Sequence, residues 1–187
     1  MSTGLASSEI EAILAETRAW IEKAVIGLTL CPFAKAVYDG GRIGYMVSGA
    51  EDESALLDEL EQALSALHST AEHLCETALL IHPRVLADFA DYNAFLDVAD
   101  RKLDSLGLRG EIQIASFHPR YRFAGTTPDD IGNFTNRSPY PMLHLLRESS
   151  VDRAVAAIPD AATIFERNIE TLRGLGHDGW RRMFPGT

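Results

Sequence analysis

The chain has 187 residues, of which 46% are hydrophobic and 24% charged, a length and balance that suit one globular domain with a proper core. Its formal net charge of -10 opposes non-specific binding to nucleic acid phosphates and to anionic membrane surfaces. No apolar run is long enough to span a bilayer, the start MSTGLASSEIEAILAE lacks the apolar core of a signal peptide, and the two cysteines, Cys31 and Cys75, make no disulfide framework, so the expected location is cytoplasmic.

Residues 1–7 read as a frayed end. Ser8 and Glu11 form a capping-box pattern, and Ile10, Ile13, Leu14, Thr17, Ile21, Ala24, Val25 and Leu28 share one helical face. That helix should end before Pro32, which leaves Cys31 at its exit. Gly40-Gly41 marks a turn, and residues 42–48 read as a strand. Ser48 and Glu51 offer a second capping box, opening a helix with Leu56, Leu57, Leu60, Leu64 and Leu67 inward. The run TALLI, residues 77–81, predicts a strand buried on both faces and ended by His82-Pro83.

A helix over 85–106 carries Phe89, Phe95, Leu96, Ala99 and Leu103 as its core stripe and stops at Gly107. A strand over 111–117 ends at His118-Pro119. Residues 120–140 form a long loop rich in Arg, Tyr, Asn and Pro, a length often associated with function. A short helix is expected over 141–147. Asp160 then caps a helix bearing Ile164, Phe165, Ile169 and Leu172, closed by Gly174, and the tail docks Trp180 and Phe184.

Strands separated by long helices predict crossover connections. The expected fold is one α/β domain over residues 1–187, with a small, mainly parallel sheet of three or four strands packed with helices. A ferredoxin-like α+β sandwich is the alternative.

Two strands that each end in His-Pro suggest a site. If they are parallel neighbours, His82 and His118 emerge side by side at the carboxyl edge, where open α/β sheets bind ligands. The plain alternative is that each histidine is satisfied by a backbone group. Cys31 is open to three readings: a small buried hydrophobe, a nucleophile with a histidine as base, or a metal ligand beside His82 and His118, since thiolate and imidazole suit a divalent metal such as zinc. Arg137 and Ser138 precede a proline-rich helix start, where backbone N–H groups and the guanidinium can hold an anion. Tyr121 can line a pocket beside them. His144 and Glu148, four apart in the expected helix, form a ligand pair or a solvated face.

The fragments GLTLCPFAK, His82-Pro83, FADYNAFLD, QIASFHPRYRF and NRSPYPMLHLLRE resemble a bacterial family of about this length, catalogued as a domain of unknown function. The resemblance spans most of the chain and implies a compact cytoplasmic protein; it carries no reaction, cofactor or catalytic residue. Two classes of function fit the residues. One is a small enzyme acting on an anionic small molecule, with metal-assisted hydrolysis ahead of thiol chemistry and with His82, His118 and Cys31 at its centre. The other is a non-catalytic module that holds a metabolite or a partner chain.

Overall fold

The computed structural model describes residues 4–157 and 163–185. Strands β1 (Ile43–Val47) and β2 (Thr77–Ile81) are parallel and joined through helix α3 (Glu53–Ser69). Helix α4 (Phe89–Ser105) carries the chain from β2 to β3 (Ile112–Phe117). Strand β4 (Met142–Arg147) then returns antiparallel to both β2 and β3 and lies between them, so the sheet order is β1-β2-β4-β3. Among the described residues the fold is a single mixed α/β arrangement with four strands, of which only β1 and β2 form a parallel pair.

Register sorts the side chains onto two faces. Tyr45, Leu79, His144 and Ala115 lie abreast, followed by Val47, Ile81, Met142 and Phe117. This face packs against Ile13 and Trp20 of α1 (Ser7–Trp20) and against Leu172 and Trp180 of α6 (Ile164–Met183). The opposite face, with Leu80, Leu143, Leu145 and Ile112, meets Leu56, Leu60 and Leu64 of α3 and Phe95 and Ala99 of α4. Strands β2 and β4 are therefore buried from both sides, which is why their sequences read as continuous apolar runs.

Several expectations need correction. Residues 142–147 form β4 and not a helix. A run of six residues apolar at nearly every position has no visible period of two, so the helix and strand patterns were indistinguishable there. Ser48 caps no helix; its hydroxyl accepts from Ala50 N–H at 3.1 Å, and Asp52 caps α3 by accepting from Ala55 N–H at 2.8 Å. At the first helix the cap lies at Ala6, whose N–H donates to Glu9 at 2.9 Å. That helix runs through a π-turn over Ile21–Ile26 to Gly27, so Cys31 sits in the loop before α2 (Ala34–Asp39). Helix α6 passes Gly174 and breaks at Gly176, whose φ of 64° favours glycine. Trp180 does dock, edge-on to Phe134 at 5.0 Å, with Phe184 4.9 Å from it. The expected Asp160 cap lies outside the described residues. Among those residues no helix is long and apolar enough to cross a membrane.

Tyr92 of α4 is fully buried and closes the carboxyl edge of the sheet. Its hydroxyl donates to Met142 C=O at 2.8 Å and accepts from Phe117 N–H at 3.0 Å. Those two residues are register partners on β4 and β3, so one phenol bridges the ends of neighbouring strands. Replacing Tyr92 by Phe removes both bonds while keeping the ring. It should lower the unfolding free energy by about 1–3 kcal/mol, read by urea denaturation, and speed amide exchange at Phe117. An unchanged midpoint with unchanged exchange would contradict the bridge.

Candidate functional site

β2 and β3 point the same way, so His82 and His118 do leave the sheet at one edge, but β4 separates them. Two inter-strand spacings put the strands roughly 10 Å apart. Both rings turn toward α4 and flank Tyr92, with centroid distances of 5.8 Å for His82 and 5.0 Å for His118. His82 Nδ1–H donates to Val85 C=O at 3.1 Å, and His118 Nε2–H donates to Leu86 C=O at 3.1 Å. His118 Nδ1 in turn accepts from Arg120 N–H at 2.9 Å. Both nitrogens of His118 are thus engaged, leaving no lone pair for a metal or a substrate proton. His82 keeps one buried lone pair, at Nε2, without a partner among the described residues.

The two histidines hold the loop that joins β2 to α4. Their acceptors are consecutive carbonyls, and Leu86 between them sits at φ 58°, a left-handed conformation that costs a non-glycine residue about 1–2 kcal/mol. Fixing this loop sets Asp88, which caps α4 by accepting from Ala90 N–H at 2.8 Å.

Cys31 lies on the other side of the sheet. It lines a cavity of about 320 Å³ between the sheet and the helices α1 and α5 (Glu148–Ala156), together with Thr77, Phe117 and His144. The structure therefore does not bring Cys31 together with His82 and His118. Among the described residues no three His, Cys, Asp or Glu side chains converge to hold a metal. Burial pushes the Cys31 thiol up, only partly offset by backbone N–H groups of Phe33 and Ala34, which disfavours the thiolate that nucleophilic attack requires.

His144 has a settled tautomer. The Thr77 hydroxyl donates its single proton to Leu145 C=O at 2.7 Å. It must therefore accept at its 2.6 Å contact with His144, which makes that ring nitrogen, Nε2, the N–H donor. As β4 is a strand, Glu148 is not on the same face one helical turn away; it begins α5. Arg147, expected beside them on a helix, instead donates to Leu67 C=O and Thr70 C=O at 2.5 Å each, closing the carboxyl end of α3.

A second pocket, of about 380 Å³, opens beyond Trp20, which lines both spaces. Its other walls include Phe134, Arg137, Ser138, Trp180 and Arg181. Arg137 is half-buried and stacks on Phe134, its guanidinium carbon 4.1 Å from the ring centre. It donates to Pro128 C=O at 2.6 Å and Tyr121 C=O at 3.4 Å. Desolvation draws its pKa below the ordinary arginine value, although the Asp129 charge opposes this. It makes no ion pair among the described residues, whereas Arg181 pairs with Asp178 at 2.5 Å. The Ser138 hydroxyl is spent on Tyr140 C=O at 2.7 Å. The Tyr121 ring packs on Phe89 at 5.2 Å and Phe123 at 5.0 Å; its carbonyl, not its ring, serves Arg137. Asn133, fully buried, ties this loop by accepting from Phe123 N–H at 3.0 Å and donating to Thr127 C=O at 2.8 Å.

Burial lowers the pKa of His82 and of His144 to about 4 each. An unfolded imidazole takes its proton near 6.5, so acid favours unfolding. The stability these groups lend is complete above about pH 6.5 and is lost as pH falls toward 4. Between pH 6.5 and about 4.5 the difference in unfolding free energy between the wild type and His144→Phe should narrow by on the order of 2–3 kcal/mol. Urea titrations across that window measure it; parallel profiles would show that His144 is not held neutral by the fold.

No curated protein and no solved structure matches the chain. A family match does cover most of its length: residues 12–182, which span all four strands, fit the family described as a protein of unknown function (DUF1415), and the chain belongs to that family.

Proposed function

We propose that the protein is a binding module for a small carboxylate with a flat apolar body, anchored by Arg137. One observation carries this reading. A half-buried guanidinium faces a pocket of about 380 Å³ and has no carboxylate partner among the described residues, in a chain of net charge -10. Surface carboxylates are plentiful, yet this arginine makes its bonds to carbonyl oxygens. Its planar fork is suited to a carboxylate, and Trp20, Trp180, Phe134 and Phe184 supply aromatic walls for the rest of the ligand.

Binding is favoured over turnover because the strand-end histidines expected to act as acid and base turn toward α4 and bond to carbonyls. The same net charge supports a small-molecule partner over a nucleic acid. The free Cys31 and Cys75 fit a reducing, cytoplasmic compartment.

Both tryptophans of the chain line this pocket, so intrinsic fluorescence reports its occupancy. Titration with benzoate should perturb that emission saturably. Arg137→Gln should weaken benzoate by about tenfold or more, with Arg137→Lys recovering part of the loss. Equal affinity of the wild type and Arg137→Gln for benzoate would overturn the assignment.

A further inference from the structure

The cavity on the β2–β4–β3 face is distinct from the Arg137 pocket in chemistry. Its walls are chiefly apolar, with Trp20, Ile21, Val25, Leu79, Phe117 and Leu146 among them. Glu76 is the one carboxylate among its described walls, and it lies 3.0 Å from Arg42. The Thr77 hydroxyl is used in both directions, donating to Leu145 C=O and accepting from His144. That leaves His144 Nδ1, which must carry a lone pair because Nε2 carries the proton. It has no hydrogen-bond partner among the described residues, and it is not among the sealed, unpartnered atoms of the interior. The ring sits mid-strand on β4, flanked by Leu79 and Ala115 in register, with Phe117 at 6.0 Å.

An imidazole lone pair in an apolar space costs free energy unless a donor meets it. A charged donor is excluded by the same surroundings, since an unpaired cation in that space would lose its hydration. We propose that this cavity is a second binding site, for a neutral, largely apolar small molecule that donates one hydrogen bond, from a hydroxyl or N–H, to His144 Nδ1. The volume of about 320 Å³ accommodates one or two fused rings. The site does not depend on Arg137. Trp20 is the wall shared with that pocket, so the two sites are neighbours with different ligand chemistry.

The probes are 2-naphthol and naphthalene, which differ by one hydroxyl donor. 2-Naphthol should shift the amide signals of Thr77 and Ala115 and bind about tenfold more tightly than naphthalene. His144→Phe should remove that preference while naphthalene still binds. Filling the space from two different elements, with Ala115→Phe on β3 or Ala154→Phe on α5, should abolish 2-naphthol binding and leave the benzoate response intact. Arg137→Gln should do the reverse, which separates failure of one site from failure of the other. Absent shifts at Thr77 and Ala115, unchanged 2-naphthol affinity in both filled variants, or equal affinity for the two probes would each overturn the proposal.

Discussion

The Tyr92 hydroxyl is the interaction on which the carboxyl edge of the sheet depends. It joins Met142 C=O on β4 to Phe117 N–H on β3 at 2.8 and 3.0 Å. Its ring lies between the imidazoles of His82 and His118. A protonated imidazole there would be stripped of water beside a buried phenol, so burial holds both histidines below their ordinary pKa. Neutral, each donates one N–H to the loop after β2, at Val85 and Leu86. The loop fixes the start of α4, and α4 in turn carries Tyr92. Edge, loop and helix are one mutually dependent unit.

That unit engages both nitrogens of His118 and one of His82, whose other nitrogen is sealed in the interior. The chemistry open to a ligand lies elsewhere: in the Arg137 guanidinium, which has no carboxylate partner among the described residues, and in the His144 Nδ1 lone pair, which has no hydrogen-bond partner among them. Both spaces border Trp20, which is buried in α1 and edge-on to Phe117 at 5.4 Å. The inserted antiparallel strand β4 is what creates the second space. It carries His144 into the middle of the sheet, where Thr77 on β2 orients the ring.

Much of this was legible in the sequence. The α/β class and the first three strands followed from apolar periodicity and from the His-Pro, Gly-Gly and Gly107 punctuation. The loop over 120–140 was recognisable from its length and composition as the home of Arg137. The rest was hidden for identifiable reasons. β4 is apolar toward both α4 and α1, so Met142 to Leu146 show no alternation. Its position between β2 and β3 is a tertiary fact with no local signal, and the adjacency of His82 and His118 hung on it. Tyr92 was missed from the α4 stripe, although its i−3 and i+3 neighbours Phe89 and Phe95 mark the same face. His144 is flanked in sequence by Met142, Leu143, Leu145 and Leu146, a setting that fits a position within a packed strand better than a solvated helix face.

The central claim is that the strand-end histidines are neutral structural groups and that His144 presents an unprotonated Nδ1 to a cavity. Imidazole nitrogen-15 chemical shifts at neutral pH test it most directly, because they report protonation and tautomer ring by ring. The predicted result is three neutral rings, protonated at Nδ1 in His82 and at Nε2 in His118 and His144. A ring of His82 or His118 titrating near pH 6.5, or a His144 protonated at Nδ1, would contradict it.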